Sequence, residues 1–258
     1  NIVRFNKKLI DATKAVAGCY KVQIAYYESL GLEGMKAYAD TLKAVREAGV
    51  PVIADIKRGD IAKTAEMYAM GHFTGDFEAD FVTLAPYMGL DSISPYLPYA
   101  EKQGKGMFVL CRTSNGGAKD FEYEKLADGR HVYDLVGDKL NALGKDYMGE
   151  HGYSSIGLVI GGTHPEEATA IRAAYPQTFF LIPGYGAQGG KAEDIANQLT
   201  AYQQDQVAFY GNYAEFAQAQ SNVENAVIAY KDNRVVMAIA SNECTADLDS
   251  AVDSALGE

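Results

Sequence analysis

Seven short apolar runs, each separated from the next by a stretch with helical periodicity, constrain the fold of this chain more than any other feature. The runs are Cys19 to Tyr26, Pro51 to Lys57, Phe81 to Tyr87, Met107 to Arg112, Ser155 to Ile160, Phe179 to Pro183 and Ala226 to Tyr230. Parallel strands need a long crossover, and a crossover helix covers the face of the sheet, so this alternation reads as βα units and the class is α/β. The spacing suits both a closed barrel and an open doubly wound sheet. No Gly-x-Gly-x-x-Gly follows the first run to favour a dinucleotide fold. With 258 residues, 48% hydrophobic and 22% charged, a single α/β barrel fits, since such barrels take about 250 residues.

The opening segment, Asn1 to Asp11, is amphipathic and helical with no strand before it, so an eight-stranded barrel built on this chain would be missing its first strand. No Pro/Gly/Ser-rich linker divides the chain, and 1–258 reads as one domain. Within it, 198–222 is rich in Gln, Ala and Tyr, with aromatic residues at three- to four-residue intervals. That segment is read as a helical excursion packed on the barrel, with a mobile lid as the alternative.

The net charge of −11 argues against a nucleic-acid surface, which needs a basic face. No apolar run approaches the roughly 20 residues that span a bilayer, and the N-terminus lacks the pattern of a secretory signal. The chain is read as cytoplasmic, without a membrane partner. Cys19, Cys111 and Cys244 are far apart and without a Cys-x-x-Cys spacing, which fits free thiols in a reducing compartment. His72, His131, His151 and His164 have no paired metal spacing, and a polar surface or capping role is expected for each.

Chemistry is concentrated where four of the runs end. The second run passes into Asp55-Ile56-Lys57-Arg58-Gly59-Asp60-Ile61. Ligands of parallel α/β proteins bind at the carboxyl ends of strands, and residues two apart on a strand share a face, so Asp55 and Lys57 point inward together. Asp60 falls where the chain turns into a helical pattern, and capping that helix is its simplest role. The sixth run ends in Pro183-Gly184-Tyr185-Gly186-Ala187-Gln188-Gly189-Gly190. Four glycines in eight residues let backbone N–H groups cradle a phosphate, although Gly-rich turns are also ordinary connections. The fourth run ends in Arg112-Thr113-Ser114-Asn115-Gly116-Gly117, which suits either the edge of a polar ring or a turn bonded to its own backbone. After the seventh run comes Lys231-Asp232-Asn233-Arg234, whose arginine is either a phosphate clamp or a solvated charge.

Taken together, Asp-Ile-Lys-Arg-Gly-Asp-Ile at 55–61, Thr-Ser-Asn at 113–115 and Pro-Gly-Tyr-Gly-Ala-Gln-Gly-Gly at 183–190 resemble the orotidine 5′-phosphate decarboxylase family, of the longer bacterial type. The stretches 20–28 and 85–92 are similar to family strands, and the resemblance runs from about Asn1 to Arg234. It implies a (β/α)8 TIM barrel that converts orotidine 5′-monophosphate to uridine 5′-monophosphate and CO2, with no metal and no organic cofactor. The family's alternating Lys-Asp-Lys-Asp array falls on Lys21, Asp55, Lys57 and Asp60. Lys57 would protonate C6 of the pyrimidine, and Asp55 would face the substrate carboxylate. Lys21 and Asp60 would hold the array and contact the ribose. Asp60 and Thr64 would reach the neighbouring subunit's site, which implies a homodimer with shared active sites. Ser114 would read the pyrimidine, Gln188, Arg234 and the backbone around Gly189 and Gly190 would bind the phosphate, and Thr64, Thr113 and Pro183 would belong to the substrate-binding set.

The chain departs from the pattern in two places. The family's first strand, ending in Gly-Leu-Asp-Pro, is not found, and Arg234 lies 46 residues after Gln188 instead of about 25 and outside the usual Asn-Ser-Ser-Arg context. A second alignment puts Ala238 to Glu243 on the last strand and supplies no phosphate arginine. Two other readings are a magnesium-dependent sugar-phosphate decarboxylase or synthase of the same barrel group, and a barrel that binds nucleotide without turning it over.

Overall fold

The computed structural model describes residues 2–15, 17–183, 200 and 204, together with the backbone of 227–231 and 234–238. Six strands, β1 (Tyr20–Gln23), β2 (Val52–Arg58), β3 (Phe81–Leu84), β4 (Gly106–Arg112), β5 (Ser154–Ile160) and β6 (Thr178–Leu181), form one sheet in sequence order. Every pairing is parallel. A doubly wound sheet reverses its strand order at a switch point, and this one does not, which decides the question that the spacing left open. The first six expected runs correspond to these strands. Between residues 2 and 183 the α-helices in chain order are α1 (Ile2–Thr13), α2 (Ala25–Glu28), α3 (Gly31–Glu47), α4 (Ala62–Phe73), α5 (Leu97–Gln103), α6 (Val132–Gly144) and α7 (Pro165–Ala174).

The seventh run is different. Val227–Lys231 (β7) pairs antiparallel with Arg234–Ala238 (β8) in a two-stranded sheet of its own, with Lys231 opposite Arg234. The expectation that 226–230 is a further parallel strand is corrected: two apolar runs separated by two residues favour a hairpin, since antiparallel strands can close through so short a turn. Most of the 198–222 excursion, Cys244 and Gln188 to Gly190 lie outside the described residues.

Two compact units can be delimited. One comprises Asn1–Thr113, Gly117–Ile160 and Gln177–Leu181; the other comprises Ser114–Gly116, Gly161–Pro176 and Ile182–Glu258. In the first unit both faces of the sheet are covered. Along β2 the even positions Val52, Ala54 and Ile56 are buried on the same side as Tyr38, Leu42 and Val45 of α3 and Ala65, Ala69 and Phe73 of α4. Each fully buried aliphatic side chain contributes about 1.5–3 kcal/mol, which is what holds these short strands under their helices. α3 stops where Gly49, at φ +74°, takes the left-handed conformation that follows a helix end. On the other face Ile53, Phe108 and Val159 form a core with Phe81, Leu110 and Leu181. The rings of Phe81 and Phe108 lie 5.6 Å apart.

A charged cluster ties the N-terminal ends of the strands. Buried Lys105, just before β4, donates to Glu78 Oε1 at 2.9 Å and lies 3.7 Å from Asp80 Oδ1. Asp80 in turn accepts from the Val52 N–H at 2.8 Å, and the Arg46 guanidinium donates to the Glu78 carbonyl. These contacts align the bottoms of β2, β3 and β4.

The histidines divide. His131 caps α6, with its own N–H donating to Asp134 Oδ2 at 2.8 Å, and His164 is hydrogen-bonded to Thr163 at 2.9 Å. His72, expected in a polar surface or capping role, is instead buried on α4 beside Phe77. Burial, reinforced by the charge of Arg58, pushes its imidazole down to about 4 from 6.5. The unfolded chain thus binds a proton that the fold refuses, so stability is complete above about pH 6.5 and declines as the pH falls toward 4, by up to about 3 kcal/mol. Urea midpoints measured across that window should fall in the native chain and fall less in His72→Leu.

Candidate active site

The carboxyl end of β2 carries a polar cluster centred on Asp55. This residue is only 4% exposed. Its Oδ2 accepts from Lys21 Nζ at 2.7 Å, and its Oδ1 accepts from Lys57 Nζ at 2.5 Å. The strand geometry explains both contacts. Asp55 and Lys57 are two apart on one strand, and Lys21 of β1 sits opposite Ile53, on the same inward face.

A third partner escaped the sequence reading. Thr83, fully buried on β3, donates to Asp55 Oδ1 at 2.9 Å, and the same hydroxyl accepts from the backbone N–H groups of Ile56 and Lys57, each at 2.9 Å. Only the register of β3 against β2 reveals it. The alternation of Phe81 and Thr83 on the inner face was its one trace in the sequence.

Burial by itself would raise the Asp55 pKa, but the hydrogen bonds from Lys21 and Lys57 outweigh it and hold the carboxyl below its usual range. The group is therefore ionised at neutral pH. The two ammonium groups remain accessible, with side chains 38% and 45% exposed for Lys21 and Lys57, so the cluster offers a fixed carboxylate and two reachable cations to a ligand.

Backbone strain is concentrated at the same place. Among the described residues, Lys57 at φ +45° and Ala62 at φ +49° are the non-glycine positions with positive φ, and they bracket the turn that leads into α4. Such conformations cost about 1–3 kcal/mol each and cluster at functional sites. Asp60 lies within this turn, where its Oδ1 accepts from the adjacent Ile61 N–H at 2.9 Å. The helix itself begins at Ala62 with no side-chain cap, so the capping role expected of Asp60 is not found. Thr64 is exposed on the first turn of α4.

At the end of β4, Thr113 is already engaged. Its N–H donates to Glu122 Oε2 at 2.8 Å and its hydroxyl to Glu122 Oε1 at 2.5 Å. Fully buried Arg112 donates to the Thr113 carbonyl and to the Tyr123 hydroxyl, with its guanidinium 4.6 Å from the Tyr123 ring centre. Glu122 had no signal in the sequence, since its partner is nine residues away across an irregular segment. In the second unit, a Cβ on Gly161 would meet the Ser114 backbone N at 2.8 Å. Glycine there lets the Ser114 turn approach closely. Pro183 accepts from the Gly162 N–H at 2.8 Å. Gln188, Gly189 and Gly190 lie outside the described residues, and of Arg234 only the backbone, in β8, is described.

A family model described as orotidine 5′-phosphate decarboxylase / HUMPS matches residues 4–210. The chain belongs to this family. An orotidine 5′-phosphate decarboxylase from Clostridium perfringens (strain SM101) is 64% identical over 195 residues, which cover 76% of this chain and 68% of that protein. The solved Leishmania donovani OMP decarboxylase is 38% identical with a TM-score of 0.62, covering 70% of this chain and 68% of that one. The Leishmania donovani UMP synthase is also 38% identical, with a TM-score of 0.67, over 76% of this chain and 41% of that longer one. The fold class is thus the TIM barrel of the orotidine 5′-phosphate decarboxylase family, of which the described residues supply six consecutive parallel strands. The family match ends at residue 210, short of the span to Arg234 that the motifs suggested, and the β7–β8 hairpin lies beyond it.

Removing the Thr83 hydroxyl with little change of shape tests the internal support of the cluster. Thr83→Val should lower the unfolding free energy by about 1–3 kcal/mol, because it leaves one carboxylate oxygen and two buried N–H groups short of a partner. Denaturant titration at pH 7 measures it.

Proposed function

We propose that this chain decarboxylates orotidine 5′-monophosphate to uridine 5′-monophosphate and CO2, as a cytoplasmic step of pyrimidine nucleotide biosynthesis that needs neither metal nor organic cofactor. The observation that carries the reading is the Lys21–Asp55–Lys57 cluster, with its buried ionised carboxylate between two accessible ammonium groups. A substrate carboxylate placed against Asp55 at about 4 Å is repelled by around 4 kcal/mol at an effective dielectric near 20, and loss of CO2 relieves the repulsion. The bond to the carboxylate carbon breaks, its electron pair stays on C6, and Lys57 Nζ delivers a proton there. The lysine is left neutral and regains its proton from solvent. Because the charges are held in place before substrate arrives, stabilisation of the developing carbanion requires little reorganisation.

Lys21 and Asp60 hold the array and contact the ribose. Ser114 reads the pyrimidine; Thr113, tied to Glu122, contributes mainly by fixing the turn that presents Ser114. Pro183, Gln188, Gly189 and Gly190 bind the phosphate, whose remote binding energy helps drive the chemistry. Arg234 joins them on the strength of the sequence alone. The active unit is a homodimer in which Asp60 and Thr64 complete the partner's site. Exposed Ile61, Met67 and Met70 near and on α4 support this, since Met67 and Met70 line a cavity of about 480 Å³ with Pro95, Pro98 and Tyr99 that a second copy would cover.

Purified chain should convert orotidine 5′-monophosphate in the presence of a metal chelator, followed by the change in pyrimidine absorbance, and Lys57→Ala should lower kcat by at least about a thousandfold. Turnover that disappears with chelator and returns with magnesium would transfer the chain to the sugar-phosphate branch of the family. Binding of uridine 5′-monophosphate by folded protein with no turnover would leave a nucleotide-binding barrel.

A further inference from the structure

The left-handed backbone of Lys57 needs something to hold it, and the next residue is built to do so. Arg58 points to the helix side of the sheet, away from Asp55. Its Nη2 donates to Glu28 Oε1 at 2.8 Å, and its guanidinium lies 5.4 Å from the centre of the Tyr68 ring. Its carbonyl accepts from the Ala85 N–H at 2.8 Å. Glu28 closes α2, the short helix after β1, and Tyr68 belongs to α4, the helix after the strained turn. One side chain therefore ties the end of β2 to the segments that follow both β1 and β2.

The surroundings of the guanidinium are unusual as well. Among the described residues, the buried side-chain polar atoms without a protein hydrogen-bond partner are Tyr38 Oη, Arg58 Nε, His72 Nδ1 and Tyr96 Oη. The charge of Arg58 acts on all three of the other residues. Buried polar groups normally find partners, so three such groups within reach of one cation, itself short of a partner at Nε, are a costly arrangement. Strain at Lys57 and Ala62 likewise persists only where the surroundings over-determine it.

We propose that Arg58 is a positioning residue for the reaction: clamped between Glu28 and Tyr68, it keeps Lys57 in its left-handed conformation and so aims the ammonium at the reacting carbon. It does not touch substrate. The inference rests on the reading of Lys57 as proton donor, and the experiment separates the two.

Steady-state kinetics of Arg58→Met, Arg58→Lys, Tyr68→Leu and Lys57→Ala in the full chain, with uridine 5′-monophosphate affinity and thermal melting measured beside them, make the test. Arg58→Met should lower kcat by about tenfold to a hundredfold, as a misplacement of around 1 Å does, while KM and product affinity change less than about threefold. Arg58→Lys, which retains the ion pair but loses the planar stack, should recover part of kcat. Wild-type kcat in folded Arg58→Met, with Lys57→Ala inactive, overturns the positioning role and leaves the proton donor standing. Full activity of Lys57→Ala overturns the donor reading itself. A loss spread equally over kcat, product affinity and melting temperature reduces Arg58 to a structural residue. Should Arg58→Met fail to fold, Tyr68→Leu loosens the clamp from the other side: lowered kcat with unchanged KM supports the proposal, and wild-type kcat overturns it.

Discussion

A single buried carboxylate organises this molecule. An ionised group removed from water costs several kcal/mol unless it is fully paired, and Asp55 is paired by groups from three successive strands: Lys21 of β1, Lys57 of its own β2 and Thr83 of β3. Its need for partners fixes the register of those strands at their carboxyl ends more stringently than apolar packing would. The same pairing leaves two ammonium groups held at defined points with their outer sides open. Stability and reactivity therefore draw on one set of contacts, and a substitution at Asp55 or Thr83 would disturb both.

The two ends of the strands divide their work. At the bottom, buried Lys105 joins the part-exposed carboxylates of Glu78 and Asp80, and Asp80 also binds the backbone of β2. At the top, the charges around Asp55 remain partly solvated and the backbone is strained on either side of Arg58 to Ile61. The difference follows from what each must do. A cluster that only aligns strands needs no strained backbone, whereas one that aims a side chain at a ligand can require it.

Much of this was legible beforehand, for identifiable reasons. Strands such as Val52–Arg58, buried on both faces, appear as continuous apolar runs, and the helices between them show their own period, so six strands and their parallel class could be read. The inward pairing of Asp55 with Lys57 followed from the two-residue period. What escaped depended on distance in space. Thr83 and Glu122 act through partners 28 and nine residues away, and neither carries a local pattern that separates it from any other threonine or glutamate. His72 was given a polar surface or capping role along with the other histidines, while its environment is set by the segment around Phe77, which has no local signature near residue 72. The seventh run failed for another reason: an apolar run bounded by turn residues does not announce whether its neighbour is the next residue block or a distant strand, and Val227–Lys231 found its partner just two residues on.

The strictly sequential strand order also bears on how the chain acquires its structure. Among β1 to β6 each strand pairs with the one before it in sequence, so every pairing in this sheet closes over a single βα unit at a similar and modest entropic cost. Lys21, Asp55, Lys57 and Thr83 all precede Ala85. The charge constellation can thus assemble as β1 to β3 emerge, with the later strands adding to a nucleus that already holds the chemistry. The strands that carry Lys21, Asp55, Lys57 and Thr83 are thus neighbours both in the chain and in the sheet, and their mutual contacts need no distant segment to form.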